Sequence, residues 1–283
     1  MAPDDGVTHL VMTAHACPDG RPPVPSAMNS ATLILSAVPG LPLVTPGDDL
    51  AALILDAMDA AGMMLERGDV LVVAQKIVSK AEGRIVALDS VTVSAKARDL
   101  AAVVEKDARL VELILSESRR VVRASRNLLI VEHRLGFVMA NAGIDQSNVA
   151  LPAGSPCALL LPLDPDASAD SLAAAIAKRA GVRPAIVIND SFGRPWRLGT
   201  VGVALGASGL PSFVDLRGQP DLHGRVLQAS AVAVADEVAA AASLLMGQAA
   251  EARPVILMRG LAWSAPPVPA SAILRPPEED QFR

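Results

Sequence analysis

Aromatic residues are almost missing from this chain of 283 residues: they make up 2% of it, and tyrosine does not occur at all. This scarcity argues against a surface that stacks the bases of single-stranded nucleic acid. The formal net charge of −5 also leaves no basic footprint for a nucleic acid partner. Hydrophobic residues nevertheless reach 51%, so we expect a large core of Ala, Val, Leu and Ile in helices and buried strands.

Cysteine is equally scarce, since the chain contains only Cys17 and Cys157. Two distant cysteines form neither a disulfide framework nor a zinc site, and we expect a reducing, cytoplasmic location. The longest apolar stretch, residues 229–246, carries Asp236 and Glu237, so we interpret it as a buried helix rather than a membrane span. The beginning of the chain lacks the pattern of a signal peptide.

Several familiar catalytic motifs are absent as well. The sequence contains no GxxxxGK[ST] loop, no GxGxxG after a strand, no HExxH and no GxSxG. A nucleotide-dependent enzyme with this sequence must therefore bind phosphate in a less common way.

Strand and helix patterns mix along residues 28–265, which indicates an α/β or mixed α+β fold. Residues 1–27 show no sustained period and are predicted to be a disordered extension, whereas the proline-rich residues 266–283 are predicted to be an irregular tail. Strands are predicted at "ATLILSAV", "DVLVVA", "NLLIVEH", "GFVMANAG", "PAIVIND", "GTVGVALGASG" (interrupted by tight turns) and "PVILMRG". Helices are predicted from Asp48 or Asp49 to about Met64, twice within 92–118, at 168–179 and at 229–245.

The first polar cluster, "NAGIDQSN", follows an apolar run directly. An aspartate at a strand exit, here Asp145, can reach a ligand while its backbone stays rigid, which suits a hard-metal ligand beside a phosphate. The alternative is a local turn in which Asp145 hydrogen-bonds to its own backbone.

The second cluster, "NDSFGRPWRLG", also follows a buried strand. It combines the acid Asp190 and the hydroxyl of Ser191 with Arg194 and Arg197, and oxygen ligands together with guanidinium groups suit a metal-bound phosphate. The alternative is a turn with two solvated arginines. Because hard cations need carboxylates from separate elements, we predict that Asp145 and Asp190 share one divalent-metal site.

Two further polar segments carry weaker signals. In "QKIVSKAEGR", Lys76 and Lys80 belong either to an anion site or to a solvated strand exit. In "DLRGQPDLHGR", His223 is either an acid–base group or a structural hydrogen-bonding residue.

Together these segments resemble the coenzyme F420-0:L-glutamate ligases, also called gamma-glutamyl ligases. The matching pieces occur in order over about residues 33–260: "GLPLVTPGDDL", "DVLVVAQKIVSKAEGR", "NAGIDQSNV", "LPLDPDASA", "NDSFGRPWRLGTVGVALGASG", "DLRGQPDLHGR" and "ADEVAAAASLLMGQ".

The resemblance implies a reaction in which GTP phosphorylates the lactyl carboxylate of coenzyme F420-0 and the amine of L-glutamate displaces the phosphate. It also implies Mg²⁺ or Mn²⁺, often K⁺, possible addition of a second, gamma-linked glutamate, and an intertwined homodimer with two interwoven subdomains and mixed sheets. Neither nucleic acid nor a membrane is an expected partner.

Residue by residue, the resemblance implies metal ligation and catalysis by Asp145 and Asp190, with Arg194 as a third catalytic residue. Further metal contacts are implied for Ser191 and Gln248. Nucleotide contacts are implied for Leu41, Pro42, Leu43, Val44, Gln75, Lys76, Lys80, Asn148, Met246, Gly247 and Gln248. At 75–76 this chain departs from the small hydroxyl residues that the family often has.

Two other functions are compatible with these residues. One is a related amide ligase that acts on a different carboxylate, since the motifs define the phosphate chemistry better than the acceptor. The other is a non-catalytic nucleotide- or metal-binding homologue, against which the joint presence of both acids, Lys80 and the arginine-containing loop argues.

Overall fold

The computed structural model describes residues 32–149 and 154–280, and within them the chain has a mixed αβ fold as predicted. The predicted extension at 1–27 lies outside the described residues. The helices are α1 (Leu50–Ala60), α2 (Gln75–Ala81), α3 (Ala95–Val104), α4 (Ala108–Ser116), α5 (Pro165–Ala180) and α6 (Val234–Met246). The strands are β1 (Ile34–Ala37), β2 (Val70–Ala74), β3 (Ile85–Ala87), β4 (Ser118–Ser125), β5 (Leu128–His133), β6 (Val138–Ala140), β7 (Cys157–Leu159), β8 (Ala185–Arg194), β9 (Arg197–Ser208), β10 (Val214–Asp215), β11 (Ala231–Val232) and β12 (Val255–Arg259).

The main sheet has five strands in the order β1-β12-β2-β8-β9. Its β2 and β8 run parallel, and the other neighbouring pairs run antiparallel. Three smaller sheets pair β3 with β7, β10 with β11, and β4 with β5 and β6.

Both faces of the main sheet are buried, which explains why its central strands are continuous apolar runs. Successive side chains point to opposite faces. In β2, Leu71 and Val73 therefore pack in one core with α1 and α5, whereas Val70 and Val72 pack in a second core with α6. A third core forms among α3, α4, β5 and neighbouring residues.

Two glycines let helices approach β9 closely. A Cβ at Gly202 would overlap the backbone of Ala239 in α6, and a Cβ at Gly206 would overlap the backbone of Pro165 in α5. The glycine punctuation of this segment therefore marks close helix packing, and the turns predicted inside the strand are wrong.

Several predicted boundaries also need correction. The segment Gln75–Ala81 is a helix rather than only a polar strand exit, and its apolar residues Ile77 and Val78 are buried in the first core. Helix α1 ends at Ala60 rather than near Met64, and α6 begins only at Val234. Strand β4 was not predicted. No helix in the described part of the chain is long and apolar enough to cross a membrane.

Candidate active site

The parallel pairing of β2 and β8 brings two polar segments to one edge of the main sheet. The register aligns Ala74 with Asn189, so α2 begins beside the segment that carries Asp190 and Ser191. The pairing of β8 with β9 shifts between Ile188 and Asn189, at the beginning of that polar segment. Sites for ligands commonly lie outside the carboxyl ends of parallel strands, and irregularities of this kind re-aim side chains there.

Lys76, near the start of α2, binds the loop that follows β6. Its Nζ lies 2.6 Å from Asp145 Oδ2 and donates a 2.8 Å hydrogen bond to Ser147 Oγ. The backbone N–H of Ser147 in turn donates to Asp145 Oδ1 at 2.7 Å. Asp145 thus closes the local turn that was the alternative interpretation, and it also forms an ion pair with Lys76.

The pKa values of Asp145 and Asp190 are shifted in opposite directions. Burial alone would raise the pKa of Asp145, but hydrogen bonds from Lys76 and Ser147 outweigh it and hold the pKa below the usual 3.8. Burial, together with a smaller contribution from the charge of Asp145, raises the pKa of Asp190 to about 6 against the lowering effects of the Ser191 backbone N–H and Lys76. The pKa of Asp190 thus responds to the charges of both Lys76 and Asp145, and Asp145 is in direct contact with Lys76.

Lys80 lies one turn further along α2 and points to the same loop. Its Nζ donates to the carbonyl oxygen of Asn148 at 2.8 Å, and burial followed by the charge of Lys76 lowers its pKa. The side chain of Asn148 donates to the carbonyl oxygen of Ala249 at 3.3 Å. This loop therefore connects α2 to the segment that follows α6.

Two side-chain contacts tie β8 to this segment and to α6. Ser191 Oγ donates to Gln248 Oε1 at 2.7 Å, and the buried Asn189 donates from Nδ2 to Ser243 Oγ at 3.2 Å. Strand β8 thus holds both the end of α6 and the residues after it.

These contacts enclose a cavity of about 500 Å³. All eleven residues for which the resemblance implied nucleotide contacts line it, together with Asp190 and Ser191. Asp145 adjoins the cavity through Lys76. Sequence reasoning missed Ala74, Ile77, Asn189 and residues 249–254 of the lining, although Asn189 directly precedes the predicted Asp190.

Two residues considered from sequence lie elsewhere. Arg194, at the end of β8, is paired with Arg197 across the hairpin, donates to the carbonyl oxygen of Gly199 and does not line the cavity. His223 lies in a turn between β10 and β11, where its backbone N–H donates to Asp221 Oδ1 at 2.8 Å, and it does not line the cavity.

A divalent cation would suit the oxygen-rich edge of this cavity. Within the described residues, no group of three or more His, Cys, Asp and Glu side chains could hold a metal ion. Asp190, the Ser191 hydroxyl and the Gln248 amide oxygen are nevertheless hard donors in the lining, and Asp145 adjoins the cavity through its ion pair with Lys76. Magnesium commonly takes one or two protein carboxylates and completes its shell with substrate phosphates and water.

A second groove, about 570 Å³ in volume, lies between α1, α2 and α5. Its polar rim carries Asp48, Asp49, Glu82 and Asp164, and no lysine or arginine lines it. Asp49 and Asp164 cap helices, so these carboxylates have structural partners. The groove does not suit an anionic substrate, because the charged groups that line it are all acidic.

Comparison with known proteins gives a consistent set of relatives. The family model for F420-0:Gamma-glutamyl ligase matches residues 40–260. The Coenzyme F420:L-glutamate ligase of Methanothermobacter thermautotrophicus is 46% identical over 251 residues, which cover 88% of this chain and 98% of the relative. The Coenzyme F420:L-glutamate ligase of Methanopyrus kandleri is 45% identical over 256 residues, with coverage of 89% and 98%. The protein of the same name from Methanocaldococcus jannaschii is 39% identical over 219 residues, with coverage of 77% and 86%.

Proposed function

The chain belongs to the F420-0:gamma-glutamyl ligase family, as the motif resemblance predicted, and from this membership we propose that it joins L-glutamate to the lactyl carboxylate of coenzyme F420-0. The cosubstrate in this proposal is GTP. The observation that supports the proposed ligase function is that Lys76, Lys80 and Asp190 all line one cavity at the carboxyl ends of β2 and β8.

The proposed chemistry has two steps. A carboxylate oxygen of the acceptor attacks the γ-phosphorus of GTP, so that an acyl phosphate forms and GDP leaves. The amine of glutamate then attacks the carbonyl carbon, loses a proton and expels inorganic phosphate. Phosphorylation is needed because a carboxylate is a poor electrophile, whereas phosphate is a good leaving group. A further glutamate would be added through the gamma-carboxylate of the first.

The residues of the cavity suit the charges that gather in these steps. Lys76 and Lys80 neutralise phosphate oxygens, and Asp145, Asp190, Ser191 and Gln248 would hold Mg²⁺ or Mn²⁺. The bound ion would supply neutralisation and alignment of the phosphate groups. K⁺ as an activator and a cytoplasmic location remain part of the proposal.

The decisive assay incubates the protein with coenzyme F420-0, L-glutamate, GTP and Mg²⁺ and follows glutamate-sized mass increments by mass spectrometry. ATP in place of GTP tests the nucleotide. Hydroxylamine in place of glutamate should trap the acyl phosphate as a hydroxamate. Release of GDP without any mass increment on the acceptor would contradict the proposed ligation.

A ligase for another carboxylate is the second candidate, because nothing in the cavity's cationic edge distinguishes one acceptor acid from another. Here GDP release should depend on glutamate and on a different acid in a panel of carboxylates. A non-catalytic homologue would bind nucleotide but release no GDP with any acceptor.

We also propose that the chain forms a homodimer through the hairpin of β8 and β9. Leu198 at its tip is 100% exposed, and Leu222 in the loop between β10 and β11 is 83% exposed. The homodimer is what the family resemblance implies, and burial of Leu198 between two copies would remove apolar surface from water. Light scattering after size exclusion should give twice the chain mass for the wild-type protein. Leu198→Asp should shift the protein toward the monomer. A monomeric wild-type protein would contradict the proposed dimer.

A further inference from the structure

Lys76 uses all of its hydrogen-bond donors on one loop. Its ammonium nitrogen lies 2.6 Å from Asp145 Oδ2 and donates to Ser147 Oγ at 2.8 Å and to the Ser147 carbonyl oxygen at 3.4 Å. An ammonium group has three N–H donors and no acceptor. Lys76 therefore has no donor left for a phosphate oxygen while it stays bound to this loop.

The carboxylate of Asp145 is bound at both of its oxygens. Oδ1 accepts from the backbone N–H of Ser147 at 2.7 Å, and Oδ2 accepts from the Ser147 hydroxyl at 3.1 Å in addition to its contact with Lys76. A divalent ion on Oδ2 would stand beside the ammonium group, and two positive charges at such close range repel each other. A metal ion that binds Oδ2 must therefore displace Lys76.

Lys80 provides a contrast on the same helix and in the same cavity. Among the described residues, its Nζ makes one hydrogen bond, at 2.8 Å, to the carbonyl oxygen of Asn148. This contact leaves two N–H donors for a ligand and involves no carboxylate. Of the two lysines, Lys76 is thus the one that must give up an ion pair before it can bind an anion.

We propose that Lys76 and a divalent metal ion exchange at Asp145, so that metal binding releases the ammonium group to a phosphate of the substrate. The inference rests on the proposed function, because it assumes a metal ion and a phosphate-bearing substrate in this cavity. In the free protein Lys76 competes with the metal ion and lowers its apparent affinity. Since metal binding and phosphate binding require the same contact to break, each should strengthen the other.

The test measures Mn²⁺ binding by electron paramagnetic resonance without any nucleotide, so that its readout is independent of turnover. Lys76→Met keeps the apolar part of the side chain and removes the competing charge. The apparent Kd for Mn²⁺ should therefore fall by about fivefold or more, in proportion to the fraction of protein in which Lys76 is bound to Asp145. Lys76→Gln is a second variant and should show the same gain. Lys80→Met is the matched control: it removes an equal charge one helical turn away and should lower the Kd by less than about twofold, because a charge that acts only across solvent is screened.

Three results would overturn the inference. Unchanged or weaker Mn²⁺ binding by Lys76→Met would show that the lysine does not compete with the metal ion. Equal gains in Lys76→Met and Lys80→Met would show a general effect of charge rather than an exchange at Asp145. Absence of Mn²⁺ binding in the wild-type protein and in all three variants would show that no exchange takes place. Failure of the proposed function has a different signature: wild-type protein would attach no glutamate to coenzyme F420-0, while the Mn²⁺ comparison, which uses no nucleotide, still decides the role of Lys76.

Discussion

A charged cluster of Glu117, Arg84, His133 and Arg134 lies next to the end of α2 and provides the sharpest test of how the fold supports the site. Glu117, only 9% exposed, lies 3.0 Å from Arg84 and 2.9 Å from Arg134, and His133 is 3.5 Å away. Arg84 follows α2, which carries Lys76 and Lys80, so the cluster joins the lysine-bearing helix to α4 and to the turn after β5.

The pKa of Glu117 shows how much the cluster contributes to the stability of the fold and in which pH range. Burial alone would raise the pKa of Glu117, but hydrogen bonds from His133, Arg134 and Arg84 lower it from 4.5 to about 2. Such a change corresponds to about 2–3 kcal/mol of stability after allowance for partial solvent contact. Because the folded pKa is depressed, this stability is fully present above about pH 4.5 and is lost as the pH falls toward 2.

We therefore expect Glu117→Gln to lower the free energy of unfolding at pH 7 by about 3 kcal/mol, since it leaves two guanidinium groups without a carboxylate. Urea unfolding at pH 7 and pH 3 measures this loss. The difference from wild type should narrow by about 2 kcal/mol at pH 3. The control is Glu105→Gln, which breaks an exposed 2.9 Å pair with Arg126 and should cost less than about 1 kcal/mol.

Two results would refute this reasoning. If Glu117→Gln and Glu105→Gln were equally stable, burial would not determine the strength of the pair. If the loss at pH 7 persisted undiminished at pH 3, it would come from packing rather than from the ionised carboxylate.

Three other predictions concern the site and its scaffold. Asp145→Asn and Asp190→Asn should each reduce turnover by orders of magnitude and lower the affinity for Mn²⁺ measured by titration, because each substitution keeps the shape of the side chain but removes a charge. The circular dichroism spectrum should stay unchanged. Near-normal turnover in both variants would contradict the shared metal site. Lys80→Ala should weaken nucleotide binding in calorimetry by about 1–3 kcal/mol, and an unchanged affinity would make Lys80 a structural contact to its loop. Gly202→Val should lower the free energy of unfolding by about 2 kcal/mol or more, since the new side chain would overlap α6, and unchanged urea unfolding would show that the helix can move away.

Much of the framework follows from local sequence. Continuous apolar runs were sufficient to predict β2, β8 and β12, because these strands are buried on both faces. The helix α2 was harder to predict, since it begins at the end of a strand without a side-chain cap. Strand β4 was missed because it has two irregularities in its pairing and exposes much of its length, so no apolar alternation develops.

The candidate site, like the fold, could be predicted from the sequence only in part. That Asp145 and Asp190 would both follow apolar segments was readable from the sequence, because a change from apolar to polar residues is a local signal. That Lys76 would lie between them depends on the parallel register of β2 with β8, which no local pattern encodes.

The strand order of the main sheet also has a consequence for how the protein is made. Strand β12, near the end of the chain, lies between β1 and β2, which are synthesised first. While the ribosome is still translating the middle of the chain, β2 exposes an unpaired apolar edge, and such edges favour aggregation. The candidate active-site cavity is completed by residues 246–254, immediately before β12. A nascent chain that stalls before this point would have neither the cavity nor a closed sheet, so we expect slow, late folding and a strong dependence on chaperones during synthesis.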